Sequence, residues 1–376
     1  MSRLPFIRAL LRGTIVHDFQ RLHSIYGPVL RVAPNEVTFA DEAAWADIFQ
    51  THTDNGQFLK DPLWWGGQTG LPNSLLSAID PEEHATMRKV FVPAFTPRAL
   101  RAQEPIIHQY VNLLVERLQE LVAAAEEDGE KAADIDMVPW FHFTAFDIFG
   151  DLGFGESFNC LQSSKYHPWI ALLFNSVKAA SFVAAVRYYP WLQSLLFKCI
   201  PKSLREMQTD HYQQIVEKVD RRLNWELERP DIMSHVIDER KGAAALPTDV
   251  IYVTFMILTT AGSETTATVL SGAMNYLVSN PEKMDILKSE IRDKFQSEAE
   301  ISLETLRQLP YLNAVLSEAL RLCPPVPWVL PRRVPASGGE VAGVWLPGGV
   351  SSTQLMHRAA QADFPQRLLF PSKPTP

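Results

Sequence analysis

Apolar residues recur at three- and four-residue spacing through most of the chain, which predicts helices that bury one face. The exceptions are short. Val29 to Val32 and Val37 to Ala40 flank Pro34-Asn35 and predict two strands joined by a turn. Glu340 to Leu346, between Gly338-Gly339 and Gly348-Gly349, predicts a second β ribbon. Two polar stretches, Glu126 to Asp134 and Asp238 to Thr248, predict surface loops. There is no internal repeat and no heptad seam. The expected fold class is mainly α with a small β sheet (α+β), in a single domain over 1-349. From Val350 to Pro376 the periodicity breaks: the segment has four prolines and three basic residues against one acidic. It predicts an aberrant proline-rich tail over 350-376 that does not close a core.

Three segments carry more than periodicity. The first begins at Asp80, a good N-cap; Pro81 fits the first helical position and Glu83 can close a capping box. His84 and Arg88 then lie at i and i+4 on one face. Such a pair can grip carboxylates or phosphates, or line a solvated helix face. The second runs from Thr248 to Asn280 and is terminated by Pro281; between Val250 and Asn280 its single charge is Glu264. A helix of that length spans about 46 Å and, being apolar on nearly all sides, should run through a core. Thr259, Thr260, Ser263, Thr265, Thr266 and Thr268 crowd its middle, where hydroxyls can bend or open a helix. Gly262 lets something flat approach the backbone. Glu264 is either a proton-handling group beside a ligand or part of a polar helix crossing satisfied by neighbours. The third is Pro310 to Leu322, with an apolar stripe of Leu312, Val315, Leu316, Ala319 and Leu320. Its Glu318 and Arg321 read by period as a surface ion pair.

Composition removes several classes. Of 376 residues, 46% are hydrophobic and 21% charged, and the net charge is −8, which excludes a disordered chain and gives no basis for a nucleic-acid partner. Cys160, Cys199 and Cys323 are scattered, in no metal- or haem-attachment spacing, so no metal site, disulfide framework or covalent haem is expected. Arg3, Arg8 and Arg12 interrupt the first apolar run, which therefore reads as neither a signal peptide nor a spanning helix. A first helix packed on the body is the expectation, with an interfacial contact through Leu4, Phe6, Ile7, Leu10 and Leu11 as the other reading.

Together these segments resemble the cytochrome P450 family of haem-thiolate monooxygenases. Ala261-Gly262-Ser263-Glu264-Thr265-Thr266 is similar to the family's central-helix motif, and Glu318-Ala319-Leu320-Arg321 to its Glu-x-x-Arg helix. The second is followed by a proline-rich turn and Leu330-Pro331-Arg332. His84-x-x-x-Arg88 stands where the family has Trp-x-x-x-Arg or its His variant. Tyr26-Gly27-Pro28 and Arg31-Val32-Ala33-Pro34-Asn35-Glu36 resemble filamentous-fungal members of secondary metabolism.

The resemblance implies a P450-like fold binding haem b, with NADPH electrons delivered by a cytochrome P450 reductase and an apolar small-molecule substrate. It implies that Glu264 and Thr265 help deliver protons during dioxygen activation. His84, Arg88 and Arg332 would hold the haem propionates, and Ala261 and Gly262 would let the central helix approach the haem face. Glu318 and Arg321 would be a buried structural pair. Cys323 would be a packing residue. The Phe-x-x-Gly-x-Arg-x-Cys loop that carries the family's iron ligand, the last long helix and the N-terminal anchor have no counterpart in the 376 residues. The expectation is an intracellular chain, cytoplasmic for want of the anchor where the family sits on the endoplasmic reticulum, and inactive as it stands because the thiolate is missing. The alternatives are a non-catalytic truncated fragment from a frameshift, mis-splicing or gene decay, and a helical ligand-binding protein that uses no haem.

Overall fold

A computed structural model describes residues 2–50, 56–67, 70–129, 132–167, 170, 181–198, 202–225, 228–240, 245–327 and 331–355. Cys199, Trp328, Leu330 and the tail from residue 356 lie outside them. The backbone divides into two compact units: Met1–Ala85, Leu173–Gln208 and Val326–Pro365 form the first, and Thr86–Leu172, Thr209–Pro325 and Gln366–Pro376 the second.

The first unit holds the β structure. Strands β1 (Val29–Ala33) and β2 (Glu36–Phe39) form the antiparallel hairpin expected around Pro34-Asn35, with a register irregularity between Arg31 and Ala33. Strands β3 (Leu59–Lys60), β4 (Arg332–Arg333), β5 (Gly339–Val341), β6 (Val344–Leu346) and β7 (Ser351–Gln354) follow. β5 and β6 make the second ribbon, as the glycine-bracketed run predicts. The larger sheet has the order β1-β2-β7-β4-β3, with β7 parallel to β2 and antiparallel to β4. Phe39, Ile48, Phe58, Val334, Val341 and Leu346 pack into one core cluster.

β7 departs from the expectation that the tail begins at Val350. Ser351, Ser352, Thr353 and Gln354 are all buried in an interior strand, and Leu355 packs with Phe6, Ala9, Ile15 and Phe19. Four consecutive polar residues carry no alternation for a hydrophobic pattern to reveal. Their burial is set by strand pairing on both sides, which long-range topology decides.

The first helix, Leu4–Arg12, buries Phe6 and Ala9 and leaves Leu4 exposed. Arg3 anchors it: the guanidinium donates to Glu36 Oε2 at 2.5 Å and stacks 3.9 Å from the Tyr188 ring centre. Burial pushes the Glu36 carboxyl up to about 6, against the opposing pull of Arg3. No helix among the described residues is long and apolar enough to cross a membrane.

The second unit is helical. Thr248–Val278 is one unbroken 31-residue helix, hereafter the central helix. Its principal neighbour is Met137–Phe154, capped by Asp136, whose carboxylate accepts from the Val138 amide, and closed by Gly155 in the left-handed conformation. Nearly every residue from Trp140 to Phe154 is buried. The polar stretches expected to be loops are shorter than expected: Pro97–Glu127 and Ile232–Arg240 extend helix into both. In Pro310–Leu322 the buried residues are Val315, Glu318 and Ala319, while Leu316 and Leu320 are exposed. The buried face is thus rotated toward Glu318 from the apolar stripe, because Arg321 neutralises the carboxylate.

Helix Pro81–Phe91 starts as its sequence dictates: the Glu83 amide donates to Asp80 Oδ2 at 2.9 Å. The Glu83 carboxylate instead accepts from Asn73 Nδ2 at 3.1 and 3.0 Å.

Candidate functional site

On the central helix, the crowded hydroxyls bond backward along the helix. Thr259 Oγ1 donates to Phe255 O at 2.7 Å, Thr265 Oγ1 to Ala261 O at 2.7 Å and Thr266 Oγ1 to Gly262 O at 3.0 Å. The helix absorbs all three without opening. Ser263 and Ala267 are buried, and Ser263 Oγ donates across to Ala145 O at 3.3 Å. Ala261, Gly262 and Thr266 are exposed in this chain.

Gly262 has a packing reason of its own. A Cβ built there would stand 3.1 Å from Phe149 Cδ2. The missing side chain lets the central helix close on Met137–Phe154, which the sequence reading did not foresee for this glycine.

Glu264 is not solitary. Its Oε2 lies 3.2 Å from His142 Nε2, and the His142 Nδ1 is 2.9 Å from Val138 O. Burial lowers the imidazole pKa, but Glu264 and the Val138 carbonyl outweigh it and the net shift is upward. The Tyr166 ring stands 6.2 Å from the imidazole, and burial, Glu264 and Asp136 all raise its phenol pKa. His142 was absent from the sequence reading. The available signal is a lone histidine inside the run Trp140 to Phe149, a buried helix with few other polar groups.

The first unit contributes two neighbouring cations. Lys60, on β3, is buried, and its ammonium donates to Leu75 O at 3.4 Å and Leu76 O at 2.6 Å. Burial first, then repulsion by Arg332, pull its pKa down to about 8. Arg332, on β4, donates weakly to Phe58 O at 3.5 Å and sits 5.7 Å from the Phe49 ring centre; its buried Nε has no hydrogen-bond partner. Burial lowers its pKa too. Lys60 and Arg332 therefore stand side by side with carbonyls as their hydrogen-bond acceptors; Glu83 draws the Lys60 pKa back up a little, and no carboxylate forms an ion pair with either among the described residues. Two desolvated cations in that state fit an anionic group. Lys60 escaped the sequence reading because a single lysine in Phe58-Leu59-Lys60-Asp61 carries no pattern. His84 and Arg88 stand one turn apart on Pro81–Phe91, His84 half-buried and Arg88 exposed.

Glu318 and Arg321 form a bidentate pair, Nε to Oε2 at 2.7 Å and Nη2 to Oε1 at 2.6 Å, with Glu318 only 2% exposed. The pair is buried, as the resemblance implies and the periodicity does not. Arg321 makes no further hydrogen bond among the described residues. Cys160 is buried and its thiol is pushed up to about 12, mainly by desolvation. Cys323 packs on Gly272, where an added Cβ would meet the Cys323 Cβ at 2.8 Å. Cys160 therefore presents no thiolate.

The Cytochrome P450 family profile matches residues 2–353, which reaches into β7. The cytochrome P450 monooxygenase lcsI of Purpureocillium lilacinum is 42% identical over 354 residues, covering 93% of this chain and 67% of its own length. The cytochrome P450 monooxygenase atr2 of Stereocaulon alpinum is 38% identical, covering 96% of this chain and 70% of its own length. Averantin hydroxylase of Dothistroma septosporum is 36% identical, with 96% and 66% covered. This chain thus spans about two thirds of the length of these fungal relatives. A crystal structure of a cytochrome P450 (CYP102L1) superposes with a TM-score of 0.74 at 17% identity, covering 92% of this chain and 78% of that one. With its long central helix bearing Glu264 and Thr265, its buried Glu318–Arg321 pair and these relatives, the chain belongs to the cytochrome P450 family.

Proposed function

We propose that this chain carries the proton-handling helix and the propionate grip of a monooxygenase of fungal secondary metabolism that acts on an apolar small metabolite. The observation that supports it is the neighbouring pair of buried Lys60 and half-buried Arg332, in no ion pair among the described residues and with the Glu83 carboxylate acting on Lys60 only as the weakest of three influences, a pair of cations that matches an anionic cofactor edge. Haem, when bound, supplies the iron at which dioxygen is activated with electrons passed from NADPH by a reductase. Arg332, with His84 and Arg88 by family resemblance and Lys60 by its environment, would hold the propionates. Their role is to neutralise two carboxylates that would otherwise be costly to desolvate. Ala261 and Gly262 keep the central helix free of side-chain bulk. Glu264 and Thr265 would hold and pass protons at their carboxylate and hydroxyl oxygens.

A second reading is favoured by the cysteines. Cys160 is buried with a raised pKa, Cys323 is a packing residue, and none of the three lies in a Phe-x-x-Gly-x-Arg-x-Cys segment. The residues present fit the propionate end of haem and offer no ligand for the iron. A polypeptide of these 376 residues is a non-catalytic member of its family in this reading. Two measurements separate the proposals. Haem titration followed in the Soret region should give saturable binding that Arg332→Gln weakens about tenfold, the scale of one charge-assisted contact; equal affinities would remove the propionate assignment. A carbon monoxide difference spectrum should contain no thiolate-haem band. A strong band from this polypeptide would overturn the non-catalytic reading.

A further inference from the structure

We propose that His142 and Glu264 share a single proton, with His142 as the residue that positions and charges the carboxylate of the central helix. His142 Nδ1 lies 2.9 Å from Val138 O. A carbonyl oxygen can only accept, so Nδ1 is assigned a hydrogen in both charge states of the ring. Neutral His142 then offers a bare Nε2 lone pair to Glu264 Oε2, 3.2 Å away. Facing an ionised carboxylate, that lone pair is repelled. With one proton on Nε2 the contact becomes an ion pair, which gives each of these two buried atoms an attractive neighbour. The hydrogen is assigned to Nε2, giving imidazolium against carboxylate. The pair then holds one proton and no net charge.

The neighbouring acids on the same helix have partners of their own. On Met137–Phe154, Asp147 accepts from the Cys160 and Leu161 amides, and Asp151 takes Tyr110 and Arg229. The central helix has no other charge after Asp249. Tyr166 faces the imidazole, and burial, Glu264 and Asp136 raise its phenol pKa, so it stands beside the pair as a neutral group. Tyr166 also lines an open groove with Asp134, Asp136, Trp140, Phe143 and Lys165, which brings solvent to the ring stacked beside His142. The direction of the His142 shift agrees with the geometry.

The inference rests on the proposed monooxygenase reading only for the use made of the proton; its presence is a property of this chain. It is tested on the full chain with histidine-selective 13C and 15N labels, the His142 resonances being identified by their loss in His142→Gln. Nδ1 should be protonated at every pH, and Nε2 should lose its proton with a midpoint above the ordinary histidine value of about 6.5. Glu264→Gln should move that midpoint down. A native midpoint at or below the ordinary value, an Nε2-protonated neutral tautomer, or a midpoint unmoved by Glu264→Gln would each overturn the proposal. The native titration decides even if Glu264→Gln does not fold. Loss of haem binding leaves these titrations unchanged, so this inference and the monooxygenase reading fail separately.

Discussion

A buried ammonium beside a half-buried guanidinium is unfavourable unless something anionic joins them, and Lys60 with Arg332 is such a case. Lys60 titrates near 8 in the folded chain, well below an unfolded lysine. Between the two values the unfolded chain binds the extra proton, so stability should rise with pH from about 8 to about 10.4. Lys60→Met should abolish that slope and raise stability at neutral pH by roughly 1 kcal/mol, as replacement of poorly compensated buried charge does. Thermal melts across that range check it. His142 has the opposite sign. Its folded pKa lies above the ordinary value, so its contribution is complete below about 6.5 and is lost as pH rises through the folded value. Melting temperatures of the native chain should therefore fall relative to His142→Gln as pH rises from about 6 to about 8. Equal profiles for the two proteins would contradict the pairing with Glu264.

At the scale of elements, two helix contacts carry consequences. Gly262→Val would drive a branched side chain into Phe149, whose Cδ2 would be 3.1 Å from the new Cβ. Overpacking of that kind costs about 1–3 kcal/mol, readable as a shifted denaturation midpoint. Gly262→Ala should cost less, because the Phe149 ring edge must move only a few tenths of an ångström. The Glu318–Arg321 pair is the other case. Glu318→Ala leaves the Arg321 guanidinium, 11% exposed, with its bidentate partner gone, and should cost about 3–5 kcal/mol. A loss under about 1 kcal/mol would mean that the pair behaves as a surface bridge. These elements also mark how far local sequence reaches. Asp80-Pro81 fixes where a helix begins, because a cap acts within four residues. Whether Glu318 points inward cannot be read from its own helix, since the apolar stripe there points elsewhere and a neutralising partner overrides it. Glu83 belongs to the same class: the capping-box spacing is present, but Asn73, ten residues away, claims the carboxylate.

At the scale of the whole molecule, β7 ties residues near 350 to the start of the chain. It lies between β2 and β4 and continues into Leu355, which packs on the first two helices. A chain ending after Gly349 would leave both neighbouring strands with open edges. Such a chain should lose cooperative unfolding of the first unit or aggregate, whereas one ending after Leu355 should keep its sheet. Limited proteolysis and circular dichroism of the two forms distinguish them. Equal resistance to protease would mean that β7 is dispensable.

The sequence by itself determined the helical class, the two hairpins, the 31-residue central helix and the family, because these depend on periodicity, turn residues and motifs with fixed spacing. It also singled out Glu264 as the lone charge of that helix. Only the tertiary structure decided what faces it. His142 lies more than a hundred residues away, and no local pattern couples two helices that meet side by side. The same holds for Lys60 beside Arg332, brought together when β3 pairs with β4, and for the polar strand β7, buried by neighbours on both sides rather than by its own apolarity. The division is physical. Propensity, capping and amphipathicity act over a few residues, whereas desolvation, ion pairing and strand order depend on which distant segment arrives.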